Sequence, residues 1–301
     1  MKTTSLFTLL LLLLASAPTK AQITLQAEHF GTSRYGDENN NEFGKSKGSA
    51  AVYQANVKIP ISMTINKDSL AVVWGVALSG SYAVLTNKNF TQNMVPSEIV
   101  NAQFSLFNMR PLNKKWNMLL FAGAGIYTDQ TQISKMGVRS VLGNAGAVFI
   151  KKMNSKLDLG AGLAFNNAFG YPMLFPALYL NYDAPGRYIF KVSLMSGFQA
   201  SAGYEINKSF ILSLIADMNG QMALVEKEGK DVIFTHQYIV TGLRPEIRIG
   251  KKITLPITLG ISAVRPAYFT DRTLKSIFSS TNQYQFQSSF YAAAQINYKF
   301  Y

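Results

Sequence analysis

The C-terminal segment constrains the fold of this chain more than any other part of it. From Gln283 to Tyr301, polar and apolar side chains alternate with few interruptions. A period of two places the two sets on opposite faces of one β-strand. Strands of soluble sheets usually hold about five or six residues, whereas a strand this long suits a tilted crossing of a bilayer. We therefore predict that the chain ends in a membrane-crossing strand.

The same alternation recurs along the chain between two kinds of connection. Short turns, most of them with Lys or Arg, are predicted at 66–68, 113–115, 151–156, 184–187, 207–208 and 250–252. Longer polar connections are predicted at 36–48, 86–97, 129–137, 219–231 and 266–282. Short turns at one end and long loops at the other are the arrangement of outer-membrane barrels.

These patterns predict an all-β protein, an antiparallel transmembrane β-barrel. Apolar residues make up 48% of the chain and charged residues only 15%, where a soluble domain carries about 25% charge. The strand count is fourteen if 22–35 is the first strand and 187–206 forms two. Twelve is the alternative, because 187–206 lacks a clear turn and 232–249 changes phase. Since the chain has no cysteine, we expect no disulfide framework.

The N-terminal residues have the pattern of a secretory signal peptide. Lys2 precedes an apolar run at 6–14, and small residues follow as far as Ala21. We expect residues 1–21 to be cleaved, which leaves Gln22 as the first mature residue. The mature chain is then one domain, 22–301, with a first strand and polar loop over 22–49 and the β-barrel over 50–301.

Two segments resemble known proteins. The last strand resembles the C-terminal signature of Gram-negative outer-membrane β-barrels through Ile296, Tyr298, Phe300 and Tyr301, although Tyr301 extends one residue past the outward-facing phase. Residues 170–214 resemble a group of uncharacterised outer-membrane barrel proteins, with matching positions at Pro176, Tyr182 and Tyr204. Gln22 after Ala21 is similar to signal cleavage in exported proteins of Bacteroidota type.

The resemblance implies a cellular location and no known activity. It places the chain in the outer membrane of a Gram-negative bacterium, after export through the signal peptide. The partners that it implies are outer-membrane lipid and the barrel assembly machinery.

The formal charge of +13 raises the separate question of nucleic-acid binding. The cations lie largely at turns beside aromatic strand ends, with no basic helix and no clustered arginine patch. Lys and Arg beside Tyr and Trp are expected where a barrel meets lipid headgroups. We therefore expect no nucleic-acid partner.

Residues for catalysis or metal binding are scarce. The chain has two histidines, His29 and His236, and no cysteine, which excludes a zinc cluster of the usual type. His236 shares a face with Phe234 and Tyr238 and has no serine within two residues. We expect an aromatic barrel position, and therefore no enzyme, no cofactor and no metal site.

The inward faces hold the remaining functional information. Candidate lumen-lining residues are Lys58, Gln103, Asp158, Asp217, Gln287, Gln295, Asn297 and Lys299. Most inward positions are polar and uncharged, which suits a narrow water-filled channel. The charges among them are too dispersed to predict strong ion selectivity. The first hypothesis is a passive porin or channel for small solutes. The alternative is a structural or surface-interaction barrel of the cell envelope without transport, and a lipid-modifying enzyme that uses His236 is the remaining one.

Overall fold

The computed structural model describes residues 21–37, 39, 41–90, 94–132, 134, 136–194, 197–278 and 284–300. Of the predicted signal peptide only Ala21 lies within these ranges, and Tyr301 lies outside them. No helix in the described ranges is long and apolar enough to cross a membrane. The structure is built from long antiparallel strands.

The strands follow the chain in order around one sheet. They are β1 (Gln22–Asp37), β2 (Glu42–Ile65), β3 (Ala71–Lys88), β4 (Glu98–Pro111), β5 (Trp116–Thr128), β6 (Val141–Lys152), β7 (Leu157–Asn166), β8 (Met173–Ala184), β9 (Tyr188–Leu194), β10 (Phe198–Asn207), β11 (Phe210–Lys227), β12 (Lys230–Ile249), β13 (Ile253–Asp271), β14 (Tyr284–Phe286) and β15 (Ser289–Lys299). A single helical turn, α1 (Lys275–Phe278), follows β13.

The sheet closes on itself. β14 and β15 both pair with β1 on one side and with β13 on the other. They are two segments of one wall strand, so the barrel has fourteen strands. This confirms the predicted fold and the larger strand count. The alternative of twelve strands is wrong, because residues 188–207 contain both β9 and β10, which pair through Phe198 and Leu194.

The first and last described residues, Ala21 and Phe300, and the short turns lie at one end of the barrel, which we call the terminal end. Phe300 N–H donates to the Ala21 carbonyl at 2.8 Å, and the turns after β2, β4, β6, β8, β10 and β12 lie at the same end. The opposite end carries the connections after the odd-numbered strands, and we call it the loop end. An even strand number follows because the first strand begins and the last strand ends at the terminal end.

The outer surface of the wall carries exposed apolar side chains. Examples are Leu25, Ile61, Trp74, Phe104, Leu163, Leu178, Leu214, Leu243, Leu259, Phe290 and Ile296, all at least 45% exposed. Lipid requires a closed sheet whose outward face is apolar. The closed ladder and this outer surface together make the fold a transmembrane β-barrel.

The wall is much taller on one side than on the other. β1, β2, β3, β11, β12 and β13 hold 16–24 residues each, and with β14 and β15 they form the tall wall. β5 to β10 hold only 7–13 residues and form the short wall. β11 also contacts β4 and β5, which are not its sheet neighbours. Within the tall wall, β11 therefore reaches across the barrel interior to β4 and β5.

Two segments that the sequence predicted as polar loops are strands in the structure. Residues 42–49 belong to β2, and residues 219–231 form the loop-end part of the β11–β12 hairpin. Its two-residue turn contains Glu228 and Gly229, with φ of 53° and 75°, as a type I′ hairpin turn requires. The charged residues of this hairpin give it the composition of a polar loop. However, Ala223, Leu224, Ile233 and Phe234 of the same hairpin lie in buried clusters.

The alternation predicted for the last strand is interrupted. Phe286 is 1% exposed whereas Phe290 is 56% exposed, although both positions are even-numbered. The break at 287–288 separates β14 from β15, and register shifts occur nearby in β1 and between β12 and β13. An extra residue turns the following side chains to the other face of a strand. Neighbouring strands thus change phase together, which keeps their inward faces continuous.

Candidate functional site

The inward faces of β2, β1 and β15 carry matched polar residues in three rows. Counted from the terminal end, the register aligns Lys58, Gln22 and Lys299, then Asn56, Thr24 and Asn297, then Gln54, Gln26 and Gln295. The register forms these rows because each strand keeps its polar residues on the same phase. One wall of the lumen is therefore a ladder of amides that begins with two lysines.

Hydrogen bonds fix part of this ladder. Asn297 Oδ1 accepts from Thr24 Oγ1 at 2.9 Å and from Gln295 Nε2 at 2.7 Å. Asn297 Nδ2 donates to Thr254 Oγ1 of β13 at 3.0 Å. These contacts hold the amides against the wall and leave other donors and acceptors of the rows facing the lumen.

A cavity of about 830 Å³ lies against these rows, and we call it the vestibule. It extends from the terminal-end turn at Gly250 and Lys251 to Asn219 and Gly220. The other polar groups in its lining include Ser79, Ser81, Asn101, Gln103, Tyr127 and Gln199. Amide side chains both donate and accept hydrogen bonds. The vestibule therefore suits small polar solutes.

The vestibule has a positively charged rim at its terminal end. Lys58, Lys191, Lys251 and Lys299 all line it. Arg248 also lines it, but its guanidinium bonds the carboxylates of Glu205 and Glu246 at 3.2 and 3.1 Å. The four lysines define what we call the lysine rim.

Acidic side chains mark the opposite limit of the polar lumen. The Glu28 carboxylate accepts hydrogen bonds from Tyr291 at 2.6 Å, Tyr238 at 2.7 Å and Gln54 at 2.6 Å. Three donors from three strands therefore converge on one buried carboxyl group. These hydrogen bonds hold the two tyrosine rings at the boundary between the polar and the apolar lumen.

A second carboxylate in this region is paired with an arginine. Arg244 Nη2 donates to Asp217 Oδ2 at 2.6 Å, and Arg244 Nε donates to Thr258 Oγ1 at 2.8 Å. This pair neutralises the charge of Asp217 within the lumen.

Beyond Glu28 the lumen is filled by an apolar cluster, which we call the outer core. Its buried members are Phe30, Tyr35, Ala50, Val52, Ala83, Leu85, Val95, Ile99, Ile215, Ala223, Phe234, Tyr238, Val240, Ala267, Phe286, Tyr291 and Ala293. The Phe30 ring lies 4.7 Å from Tyr238 and 5.1 Å from Tyr291, centroid to centroid. The outer core fills the interior between the tall-wall strands and β4, and closes the lumen there.

An arginine is buried within the outer core. The Arg265 guanidinium lies 4.1 Å from the centre of the Phe286 ring and 5.5 Å from that of Phe30. Its Nη2 donates to the Gly48 carbonyl at 2.9 Å. A Cβ at Gly48 would lie 2.7 Å from the Phe286 ring, so this position requires glycine. The guanidinium is thus held by cation–π contacts and not by a carboxylate. Its positive charge is therefore not balanced by an ion pair among the described residues of the outer core.

His236 lies inside the barrel and is completely buried. Its Nδ1 is 3.0 Å from Gln221 Oε1, and Phe30 and Tyr238 rings pack beside it. The structure therefore surrounds the imidazole with protein groups on the lumen side of β12.

The loop-end part of the β11–β12 hairpin, residues 219–233, covers the vestibule, and we call it the lid. Asn101 of β4 bonds Met222 of the lid twice, through Nδ2 to the carbonyl at 2.6 Å and through Oδ1 from the amide at 3.3 Å. Leu224 and Ile233 pack with Leu142 in a second small buried cluster. The lid is thus attached to β4 and β6, across the barrel from its own neighbours.

Two arginines fasten the loop end around the lid. Arg272 donates to the carbonyls of Ala168, Arg139 and Asn167 at 2.9, 2.8 and 3.0 Å. Burial lowers the pKa of Arg272. The exposed Arg139 forms an ion pair with Glu226 of the lid. The connections from the short wall therefore lie against the lid.

The predicted lumen residues occupy different parts of this arrangement. Lys58, Gln103, Gln295, Asn297 and Lys299 line the vestibule. Asp217 lies in the pair with Arg244. Asp158 lies opposite Asn181 in the β7–β8 pairing, and Gln287 lies at the break between β14 and β15; neither is among the residues that line the vestibule.

The predicted C-terminal signature lies on the last strand. Ile296 is exposed on the outer surface, and the Tyr298 and Phe300 rings are 4.6 Å apart. Tyr301 lies outside the described residues. Sequence reasoning missed Lys191 and Lys251, because they join Lys58 and Lys299 only when the sheet closes.

The geometry defines a transmembrane β-barrel with a polar half-lumen closed toward the loop end. The chain belongs to the family described as domain of unknown function (DUF6268), whose model matches residues 17–299. A search of curated proteins finds no match.

Solved structures that the chain is similar to include two channels and a translocator domain. The TodX monoaromatic hydrocarbon channel deltaS2 mutant is 9% identical, with 96% of this chain and 92% of that chain covered and a TM-score of 0.46. The COG4313 outer membrane channel from Pseudomonas putida F1 is 9% identical, with 95% and 97% covered and a TM-score of 0.42. The translocator domain of autotransporter NalP from Neisseria meningitidis is 13% identical, with 99% and 94% covered and a TM-score of 0.35.

Proposed function

We propose that the protein is an outer-membrane channel for small polar solutes that is closed at its loop end in the described conformation. The observation that carries this proposal is the vestibule of about 830 Å³. A barrel with a purely structural role has no need for a polar lumen of this size, since apolar side chains fill the rest of the same interior. The proposed channel differs from a passive porin in one respect, because the outer core and the lid close its lumen.

The orientation in the membrane follows from the two ends of the barrel. Outer-membrane barrels have short turns on the periplasmic side and longer loops outside the cell. The terminal end, with the lysine rim, then faces the periplasm, and the lid faces the medium. The predicted signal peptide and the Gln22 junction of Bacteroidota type support export to this membrane. Lipid around the outer surface and the barrel assembly machinery are the partners that this location supplies.

The proposal includes no enzymatic role. His236 is the histidine on which a lipid-modifying activity would depend, and it is 0% exposed among aromatic rings. A substrate has no route to that imidazole in the described conformation. Likewise, no group of His, Cys, Asp and Glu within the described residues is arranged to hold a metal ion.

Single-channel conductance in a planar bilayer tests the closure. The variant replaces residues 222–235 by Asn-Gly, which joins the paired residues Gln221 and His236 through a two-residue turn. We expect the wild-type protein to be electrically silent and the variant to open in discrete steps that scale with salt concentration. Heat-modifiable migration on a gel shows that each barrel has folded.

Two results would contradict the proposal in different ways. Steady conductance of the wild-type protein would show that the loop end does not close the lumen. A folded lid variant that stays silent would show that removal of the lid does not open the lumen, and would contradict the proposed channel. The structural or surface-interaction role would then be favoured, because the tall wall presents a folded surface beyond the short wall.

A further inference from the structure

The lysine rim gives the vestibule lining more basic than acidic side chains. Lys58 and Lys299 flank Gln22 in one row. Among the described residues that line the vestibule, Glu246 is the only carboxylate, and it accepts a hydrogen bond from Arg248 at 3.1 Å. The mouth of the vestibule is therefore an electropositive entrance.

The usual explanation for lysines at a barrel end does not apply to these four. Lysines that contact lipid headgroups extend outward from the wall at the membrane interface. The rim lysines face the lumen instead. A cleft lined by charge of one sign concentrates ions of the opposite sign. The entrance therefore favours anions over neutral solutes and cations.

The wall beyond the rim offers hydrogen bonds and not charge. Two rows of amide and hydroxyl side chains follow the lysine row, at intervals of two residues on each strand. At a rise of about 3.3 Å per residue, these rows extend roughly 13 Å from the rim. Asn and Gln side chains donate and accept together, so they match hydroxyl groups, which do the same. A solute of hexose size fits this length.

The inner limit of the vestibule determines which way such a solute is oriented. The Glu28 carboxylate lies in the next row on β1, beyond Gln26. Its oxygens accept hydrogen bonds from Tyr238, Tyr291 and Gln54, and the basic side chains among the described lining residues lie toward the rim. The negative group of a bound solute is therefore held at the rim, and its neutral part extends along the amide rows.

We propose that the vestibule binds a small polyhydroxylated carboxylate, with its carboxylate at the lysine rim and its hydroxyl groups along the amide rows. This inference rests on the proposed function, in which the vestibule is the solute path, and it adds the class of solute. The site is built from three adjacent strands, β2, β1 and β15, together with Lys191 of β9 and Lys251 of the turn after β12.

Isothermal titration calorimetry on the refolded full mature chain in detergent micelles tests this with three probes. Gluconate has the charge and the hydroxyl groups, glucose has the hydroxyl groups alone, and acetate has the charge alone. We expect saturable gluconate binding that weakens as salt is raised, because screening acts over about 8 Å at physiological ionic strength. Glucose and acetate are each expected to bind at least about tenfold more weakly, a difference of about 1.4 kcal/mol.

A pair of matched variants locates the site. Lys58→Gln with Lys299→Gln removes two charges from the rim, and we expect gluconate affinity to fall at least about tenfold. Lys114→Gln with Lys115→Gln removes the same charge from an exposed turn at the same end of the barrel, outside the vestibule lining. That control is expected to bind gluconate like the wild type. Heat-modifiable migration verifies that both variants fold.

The outcomes separate this inference from the proposed function. Absence of saturable gluconate binding, equal binding of glucose, or equal weakening in both double variants would overturn the inference. The conductance of the lid variant is measured without any of the probes. If that variant conducts while gluconate does not bind, the channel stands and the solute class is wrong. If gluconate binds at the rim while the lid variant stays silent, the binding site stands without a channel.

Discussion

The vestibule and the outer core are built from the same strands, yet one holds polar side chains and the other is packed with apolar ones. On β1, Thr24 and Gln26 face the vestibule, whereas Phe30 and Tyr35 face the outer core. The difference shows that alternation determines which residues face inward, while the chemistry of those residues determines whether the lumen holds a cavity or a core.

The two regions also stabilise the barrel differently. Vestibule side chains already contact water, so their contribution to the free energy of unfolding is small. Burial of the outer-core side chains stabilises the folded state by about 25 cal/mol for each Å² of apolar surface that is removed from water. The loop-end half of the barrel is therefore stabilised like the interior of a soluble domain, in addition to its strand ladder.

Truncation of one residue in each region gives the largest expected contrast. Phe30→Ala leaves a cavity among Tyr238, Tyr291 and Arg265, and we expect it to lower the free energy of unfolding by about 3–5 kcal/mol. Gln26→Ala, four residues away on the same strand, is expected to change it by less than about 0.5 kcal/mol. Urea titration of both variants in phospholipid vesicles measures the difference. Equal losses would remove the distinction between the two regions.

The boundary between the regions should show an intermediate effect. Glu28→Ala leaves Tyr238, Tyr291 and Gln54 without the carboxylate that accepts their hydrogen bonds. We expect a loss of about 2–3 kcal/mol, since buried polar groups without partners are costly. Glu28→Gln keeps the side-chain shape and one acceptor oxygen, and we expect it to lower the free energy of unfolding by less than Glu28→Ala does. If the Ala variant is as stable as the wild type in the same titration, the carboxylate does not order the boundary.

The attachment of the lid should be weaker than the core that it covers. Arg272→Ala removes three hydrogen bonds from the guanidinium to backbone carbonyls, and we expect a loss of about 1–2 kcal/mol, confined to the loop end. Hydrogen exchange of residues 222–233 should accelerate, while exchange at 54–58 in the vestibule wall stays unchanged. Arg110→Ala, an exposed position at the end of β4, is the control. Uniform acceleration along the chain would indicate global destabilisation instead.

The smallest effect is expected at the exposed ion pair on the lid. Arg139 and Glu226 side chains are 44% and 49% exposed, and pairs of this kind contribute less than about 1 kcal/mol. Arg139→Gln should therefore leave both conductance and the unfolding midpoint close to those of the wild type. An open channel in this variant would mean that the ion pair, and not the outer core, keeps the lid closed.

Much of the fold could be predicted from the sequence. The alternation in β2 and β15 identified the inward residues of both strands, and the short turns identified the terminal end. These features are local, because alternation can be recognised within one strand and a turn within a few consecutive residues. The closed barrel follows from them, but counting left twelve strands as the alternative to fourteen, because 187–206 lacks a clear turn in the sequence.

The lid and the phase changes could not be predicted in the same way. Glu226, Lys227, Glu228, Lys230 and Asp231 have the composition of a solvated loop, and only the contacts of the lid across the barrel explain its strand structure. The phase break at 287–288 depends on pairing with two neighbouring strands. The lysine rim combines residues from four separate parts of the chain, so its charge exists only once the sheet has closed.

Thiol labelling on β3 tests the division of the lumen most directly, because the chain has no cysteine of its own. Ser79 lines the vestibule and Ala83 is fully buried in the outer core, four residues farther along the same inward face. A charged, membrane-impermeant thiol reagent is added to either side of oriented proteoliposomes that contain Ser79→Cys or Ala83→Cys. We predict rapid labelling at position 79 from the terminal end only, and none at position 83 from either side. Labelling of position 83 at a rate similar to position 79 would contradict a closed outer half.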